Sequence, residues 1–117
     1  MGDLSKHFNR SEFACKCGCG YDTVDAELIE YLEAIRLRFG PVTVTSGCRC
    51  AEHNKAVGGS KNSQHVLGRA ADIQVKDVEP ATVQAYCEDS LIPQGLGSYN
   101  SFTHIDTRSS GDARWGV

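Results

Sequence analysis

Two short stretches carry side chains able to bind a metal ion. Ser63-Gln64-His65-Val66-Leu67-Gly68-Arg69-Ala70-Ala71-Asp72 holds a histidine and an aspartate seven residues apart, with a glycine between them, and Phe102-Thr103-His104-Ile105-Asp106 supplies a second histidine. Two imidazoles and one carboxylate leave a tetrahedral zinc ion one open position, the arrangement of catalytic rather than structural zinc. His65 and Asp72 can share an ion only if the chain folds back between them, a turn that Gly68 permits. His104 must then arrive from a neighbouring strand. The bland account makes His65 a loop histidine, Asp72 a surface aspartate and His104 a sheet-face histidine, each solvated. The two accounts differ in one observable, which is whether the three side chains meet.

The elements that would position them are legible from periodicity. Leu28, Leu32, Ile35 and Phe39 recur at helical spacing, so a helix precedes the motif. Asp22 or Thr23 can cap its start, Asp25 and Glu27 suit its positive end, Arg36 and Arg38 suit the other, and Gly40-Pro41 ends it. Pro41 to Ser46 is short and β-branched and reads as a strand, followed by a helical turn over Glu52 to Val57 and a loop over 58–63 that delivers His65. In a strand over Ala70 to Val75, Ala71, Ile73 and Val75 share one face while Asp72 and Gln74 share the other. A weaker helix covers Pro80 to Asp89, with Val83 and Cys87 turned inward. Leu96 to Tyr99 and Phe102 to Thr107 form a hairpin about Asn100-Ser101, with Phe102, His104 and Asp106 on one face of the second arm. Residues 1–21 read as an irregular segment anchored by Phe8 and Phe13, 109–112 as a loop, and Trp115 as a plug packing back. The order predicts an α+β domain with a small, mainly antiparallel sheet and one domain over 1–117.

The chain has 117 residues, 40% hydrophobic and 23% charged, with a net charge of -3 and an isoelectric point near 5.7. That balance argues against nucleic acid or an anionic membrane as the main partner, and no apolar run nears the roughly 20 residues of a membrane span. Met1 to Lys6 lacks the apolar core of a secretory signal, and Lys6 stands where a myristoylation signal needs Ser or Thr. A monomer made in the cytoplasm is expected. Six cysteines are many for this length. Cys15, Cys17 and Cys19 alternate, Cys48 and Cys50 repeat that spacing, and Cys87 stands apart. The C-x-C pairs lack the C-x₂₋₄-C spacing of zinc fingers, so reduced thiols, one or two disulfides and a metal cluster all stay open.

Thr45-Ser46-Gly47-Cys48-Arg49, His53-Asn54, Val57-Gly58-Gly59, Asn62-Ser63-Gln64-His65, Gly68 and Ala70-Ala71-Asp72-Ile73 together resemble the zinc D-Ala-D-Ala peptidases, in particular the compact single-domain group common in phages. His104-Ile105-Asp106-Thr107-Arg108 and Ala113-Arg114-Trp115-Gly116 also fit, so the resemblance runs from the Phe13-Ala14-Cys15-Lys16-Cys17-Gly18 segment to the tail. The fold it implies is that of Hedgehog domains and D,D-peptidases, a small antiparallel sheet with helices packed on one side.

The resemblance implies zinc held by His65, Asp72 and His104. It also implies hydrolysis of peptidoglycan stem peptides or cross-bridges, as a carboxypeptidase or an endopeptidase of the lysin kind acting on the cell wall during phage lysis or from a virion. Some relatives place a catalytic acid three residues before the last ligand, but that position here is Ser101. Asp106 is then the expected base, with the exchange of Asp106 onto zinc and His104 beside it as an alternative. Arg49 is expected to stabilise an oxyanion or grip a substrate carboxylate, or else to sit in a surface ion pair. Ser63 is expected to contact substrate or to cap its loop. For His53 the choices are a supporting or a structural role, and for Tyr99 and Trp115 cleft lining or core. The missing acid at position 101 also keeps open a zinc module of this fold that binds without cutting.

Overall fold

A computed structural model describes residues 4–16, 18–22, 24–58, 63–91, 93–108 and 113–116. The expectations for Thr23, for the loop over 59–62 and for the tail over 109–112 lie outside the described residues, as does that for the Trp115 side chain.

The sheet has five strands, β1 (Val42–Ser46), β2 (Ala70–Val75), β3 (Gly95–Ser98), β4 (Thr103–Asp106) and β5 (Ala113–Gly116), in the order β1-β2-β4-β3-β5. Four of them pair antiparallel, whereas β5 lies parallel to β3 at one edge. Ala113–Gly116 is thus a strand: β3 would otherwise leave a row of unpaired backbone donors and acceptors at the sheet edge, and β5 pairs with it.

Helix α1 (Ala26–Phe39) buries Leu28, Ile29, Leu32 and Ile35, the face read from the sequence. Its N-cap is Asp25, not Asp22. The Asp25 carboxylate does not cap the helix but accepts from Thr107 Oγ1, tying the helix start to the end of β4. Helix α2 (Ala51–Ala56) is the expected short turn, and α3 (Pro80–Tyr86) has proline in its first turn. Beyond Tyr86 the chain loosens into a π-helical turn, Cys87–Leu91, so the α-helix stops short of the expected Asp89.

The apolar residues of α1 and α3 meet Val44, Ala71, Ile73, Val75, Leu96 and Ile105 in one cluster that also takes in Phe8 and Phe13. These strand residues alternate with Asp72 and His104, so one face of the sheet is core and the other is free for chemistry. Helices α1 and α3 thus pack on one side of an α+β sheet, as the family resemblance implies.

Candidate metal centre

In the β2–β4 register Asp72 lies directly opposite His104. Directly opposed antiparallel residues bring their Cβ atoms within about 5.5 Å, so the two side chains meet on the polar face without any special loop. His65 arrives from the turn before β2. That turn closes through Gly68 N–H donating to the His65 carbonyl at 3.2 Å, with Gly68 in the left-handed region at φ 72°. Only glycine takes that conformation without strain. The Asp25 N–H then donates to the Gly68 carbonyl at 2.8 Å, anchoring the turn to α1.

The three side chains converge. One ligand atom from each of His65, Asp72 and His104 lies within 4.8 Å of the others, and all three residues are buried. Asp72 Oδ1 is 3.3 Å from His65 Nε2 and 2.9 Å from His104 Nδ1. The two imidazoles meet edge to face with centroids 5.1 Å apart. The solvated account of these residues fails on this convergence.

Each histidine has its far nitrogen occupied, and that fixes which nitrogen faces the centre. His65 Nδ1 is 2.6 Å from the Gly47 carbonyl oxygen, which can only accept. Nδ1 therefore carries a hydrogen, and Nε2 is the nitrogen left to serve as a ligand. His104 Nε2 is 2.8 Å from Asp106 Oδ2, leaving Nδ1 for the centre. Asp106 is in turn gripped by Arg108, whose Nη2 lies 2.7 Å from Oδ2 and whose Nε lies 2.9 Å from Oδ1. The Arg108 backbone N–H adds a third bond to Oδ1 at 3.1 Å.

Burial raises the Asp72 pKa, but hydrogen bonds from His104 and His65 outweigh it and hold the group near 2. Asp106 is likewise pushed up by burial and held far below the carboxylate range by Arg108 and His104. His104 is lowered by burial and raised more strongly by Asp106 and Asp72, with a net upward shift.

The donor set fits zinc. Bonds of about 2.0–2.1 Å to nitrogen and oxygen in a tetrahedron place neighbouring donors about 3.3 Å apart, close to the 3.3 and 2.9 Å seen about Asp72 Oδ1. Both imidazoles donate their second nitrogen to a carbonyl or carboxylate, the support that metal-binding histidines generally have.

The other expected residues separate. Arg49 stands at the rim with Nη2 3.6 Å from Asp72 Oδ2, and its Nε and Nη1 donate to Ser46 Oγ and Asn54 Oδ1 at 3.3 and 3.1 Å. It is thus fixed beside the centre rather than paired at the surface. Ser63 Oγ accepts from the His65 backbone N–H at 3.2 Å, the loop-capping role. Ser101 is exposed, and its carbonyl accepts from Gln74 Nε2 at 2.9 Å. Tyr99 stacks on Phe102 with centroids 4.3 Å apart. His53 is not one of the three converging side chains.

Asp106 departs from its expected part. It is 0% exposed, both its oxygens face the Arg108 guanidinium, and its low pKa makes it a poor proton acceptor. Its place is behind His104 as an orienting group, and His104, not Asp106, belongs to the converging set. Two contributors were missed in the sequence. One is Arg108, which strand alternation through His104 and Asp106 would have put on the same face. The other is Gly95, opposite Asp106 on β3, where a Cβ would stand 2.1 Å from Asp106 Oδ1.

A profile of the family described as Peptidase M15 matches residues 6–106. The zinc D-Ala-D-Ala carboxypeptidase of Streptomyces albus G is 31% identical over 96 residues, covering 72% of this chain and 34% of that protein. The chain therefore spans about a third of the length of that curated relative.

Proposed function

The chain belongs to the peptidase M15 family, and on that premise we propose that it is a zinc peptidase cutting peptidoglycan stem peptides or cross-bridges, as a D,D-carboxypeptidase or an endopeptidase. The observation that carries this reading is the convergence of His65 Nε2, Asp72 Oδ1 and His104 Nδ1 within 4.8 Å on the polar face of the sheet. The relative's printed activity supports the substrate class.

His65, Asp72 and His104 would hold the ion, and when bound it supplies Lewis-acid polarisation of a peptide carbonyl and a water made acidic near neutral pH. The rest falls to side chains. The Gly47 carbonyl and Asp106 each hold the far N–H of one imidazole, so the nitrogen facing the centre is the one that gives up its proton when an ion binds. Arg49 offers the Nη2 edge of a guanidinium held by Ser46 and Asn54, suited to a substrate's terminal carboxylate or to the charge that develops on the attacked carbonyl. In the same reading the Ser63 hydroxyl donates to the substrate while its oxygen keeps the His65 N–H. The role in lysis, by a phage lysin or virion-borne enzyme made in the cytoplasm and acting on the wall, belongs to this proposal too.

One observation favours a second reading. Ser101 holds the position where some members of the resembled family carry an acid, and Asp106 is enclosed, so a zinc module that binds wall peptides without cutting them would look the same. Mass spectrometry of muropeptides before and after incubation, with and without chelator, separates the two. Chelator-sensitive loss of D-Ala or of a cross-link supports the peptidase. Unchanged muropeptides, from protein that holds zinc and still binds them, would leave only the binding module.

A further inference from the structure

A second cluster of donors joins the N-terminal segment to the start of α2. The sulfurs of Cys15, Cys19 and Cys50 lie within 4.8 Å of one another, and none of the five described cysteines is in a disulfide. Cys15 and Cys19 flank a tight turn in which the Gly18 N–H donates to the Cys15 carbonyl at 3.2 Å. Gly18 and Gly20 make that turn in the left-handed region, at φ 81° and 89°. Cys50 comes from the far side as the N-cap of α2.

Backbone donors already point at the sulfurs. The Cys50 N–H lies 3.4 Å from Cys15 Sγ, and the His53 N–H lies 3.4 Å from Cys50 Sγ. Cys15 Sγ and Cys50 Sγ are 3.8 Å apart. A tetrahedral ion with bonds of about 2.3 Å to sulfur sets neighbouring sulfurs about 3.8 Å apart, whereas a disulfide closes to about 2.05 Å. The Cys15-x₃-Cys19 spacing also falls inside the interval of structural zinc sites, which the alternating cysteines conceal when they are read as C-x-C pairs.

We propose that Cys15, Cys19 and Cys50 form a second, structural metal site for a thiophilic divalent ion such as zinc. Each thiol gives its proton to solvent and binds as thiolate, and the fourth position goes to a ligand beyond these three. The all-sulfur set is softer than the nitrogen and oxygen donors of the first centre, so the two sites are chemically distinct. The ion staples the N-terminal segment to the stretch that serves the first centre. The Cys48 N–H donates to the Phe13 carbonyl at 2.8 Å, and a Cβ on Gly47 would stand 2.5 Å from Phe13 Cα. Gly47 holds His65 through its carbonyl, and Arg49 is two residues further on.

The test uses the full chain, purified under reducing conditions, stripped and reloaded with Co²⁺. Two ions per chain are expected, with intense thiolate-to-cobalt absorption in the near ultraviolet. His65→Ala should lose one ion and keep that absorption. Cys19→Ser, at an exposed position, should lose the other ion and most of the absorption while circular dichroism stays unchanged. One ion per chain with no thiolate absorption in the unsubstituted protein overturns the proposal, whether or not the variants fold. A disulfide between Cys15 and Cys50, seen as a bridged peptide in the protein isolated without reductant and persisting under zinc, overturns it as well.

Discussion

Asp106 is the residue whose surroundings most change what it can do. A general base must reach the water it deprotonates and have a pKa near the working pH. Asp106 meets neither condition, since it is fully buried and bonded at both oxygens. What it can do is hold the His104 ring. Asp106→Asn is therefore expected to weaken zinc binding about 10- to 100-fold, the usual cost of losing such a support. Turnover should return at saturating zinc. Competition against a chromophoric chelator measures the first effect, and full zinc occupancy with no turnover would return Asp106 to the role of base. Cys87 makes a second case. Burial pushes its thiol up to about 12, so almost no thiolate exists at neutral pH and iodoacetamide should leave it unlabelled in the native chain. Rapid labelling, read by peptide mass spectrometry, would mean that the Cys87–Leu91 turn opens readily. His65, Asp72 and His104 were legible because their types and spacing are those of a family motif. The Asp106–Arg108 pair was not, because two neighbouring charged residues on a strand look equally natural in solvent. Only the complete burial of Asp106 beneath the Arg108 guanidinium decides between those readings.

The elements were legible where one periodicity ruled. Helix α1 shows its apolar face at helical spacing, and β2 alternates core and site residues, so both could be placed from sequence. Strand β5 has no such pattern in its four residues, and its pairing is settled by the open edge of β3, a tertiary fact. Strand β3 carries a constraint of its own. Gly95 and Gly97 oppose Asp106 and His104, and at Gly95 any Cβ would overlap the Asp106 carboxylate. Gly95→Ala should destabilise the fold by about 1–3 kcal/mol, as overpacking does, and should weaken metal binding because Asp106 must shift. Urea unfolding and the same chelator competition report the two effects, and a variant that keeps both values would place Asp106 elsewhere in solution. At the other end, Glu33 on α1 accepts from Ser5 and from the His7 backbone and ring. Burial raises its pKa, but the bonds to Ser5 and His7 lower it more, and the net shift is below its ordinary 4.5. A depressed carboxylate stabilises above its unfolded pKa, and that contribution is lost as pH falls through the folded value. Hydrogen exchange over residues 5–8 should thus stay slow at pH 7 and quicken only as the pH falls below the ordinary 4.5 of this carboxylate, once intrinsic rates are divided out. Protection that does not change with pH would show that the segment is held by Phe8 and Phe13 alone.

For the whole molecule, the first metal centre joins parts of the chain that are far apart in sequence. His65 lies in a turn anchored to α1, Asp72 lies on β2, and His104 lies on β4, so an unfolded chain has no such site. An ion that binds only the native state stabilises it by mass action, about 2.7 kcal/mol when its free concentration is a hundred times Kd. Without the ion the Asp72 carboxylate is left to its contacts with the two imidazoles. Chelation should accordingly lower Tm, and zinc added back should restore it along a saturation curve whose midpoint matches the affinity measured at equilibrium. His65→Ala should start from a reduced Tm and lose the part of the zinc response that belongs to this centre. Any response that survives in His65→Ala must come from other ligands, and it should vanish when Cys19→Ser is added. A Tm indifferent to zinc in the unsubstituted protein, at concentrations that fill the site, would mean that the three ligands meet as readily in the unfolded chain. The burial and separate anchoring of His65, Asp72 and His104 make that outcome incompatible with the fold described above.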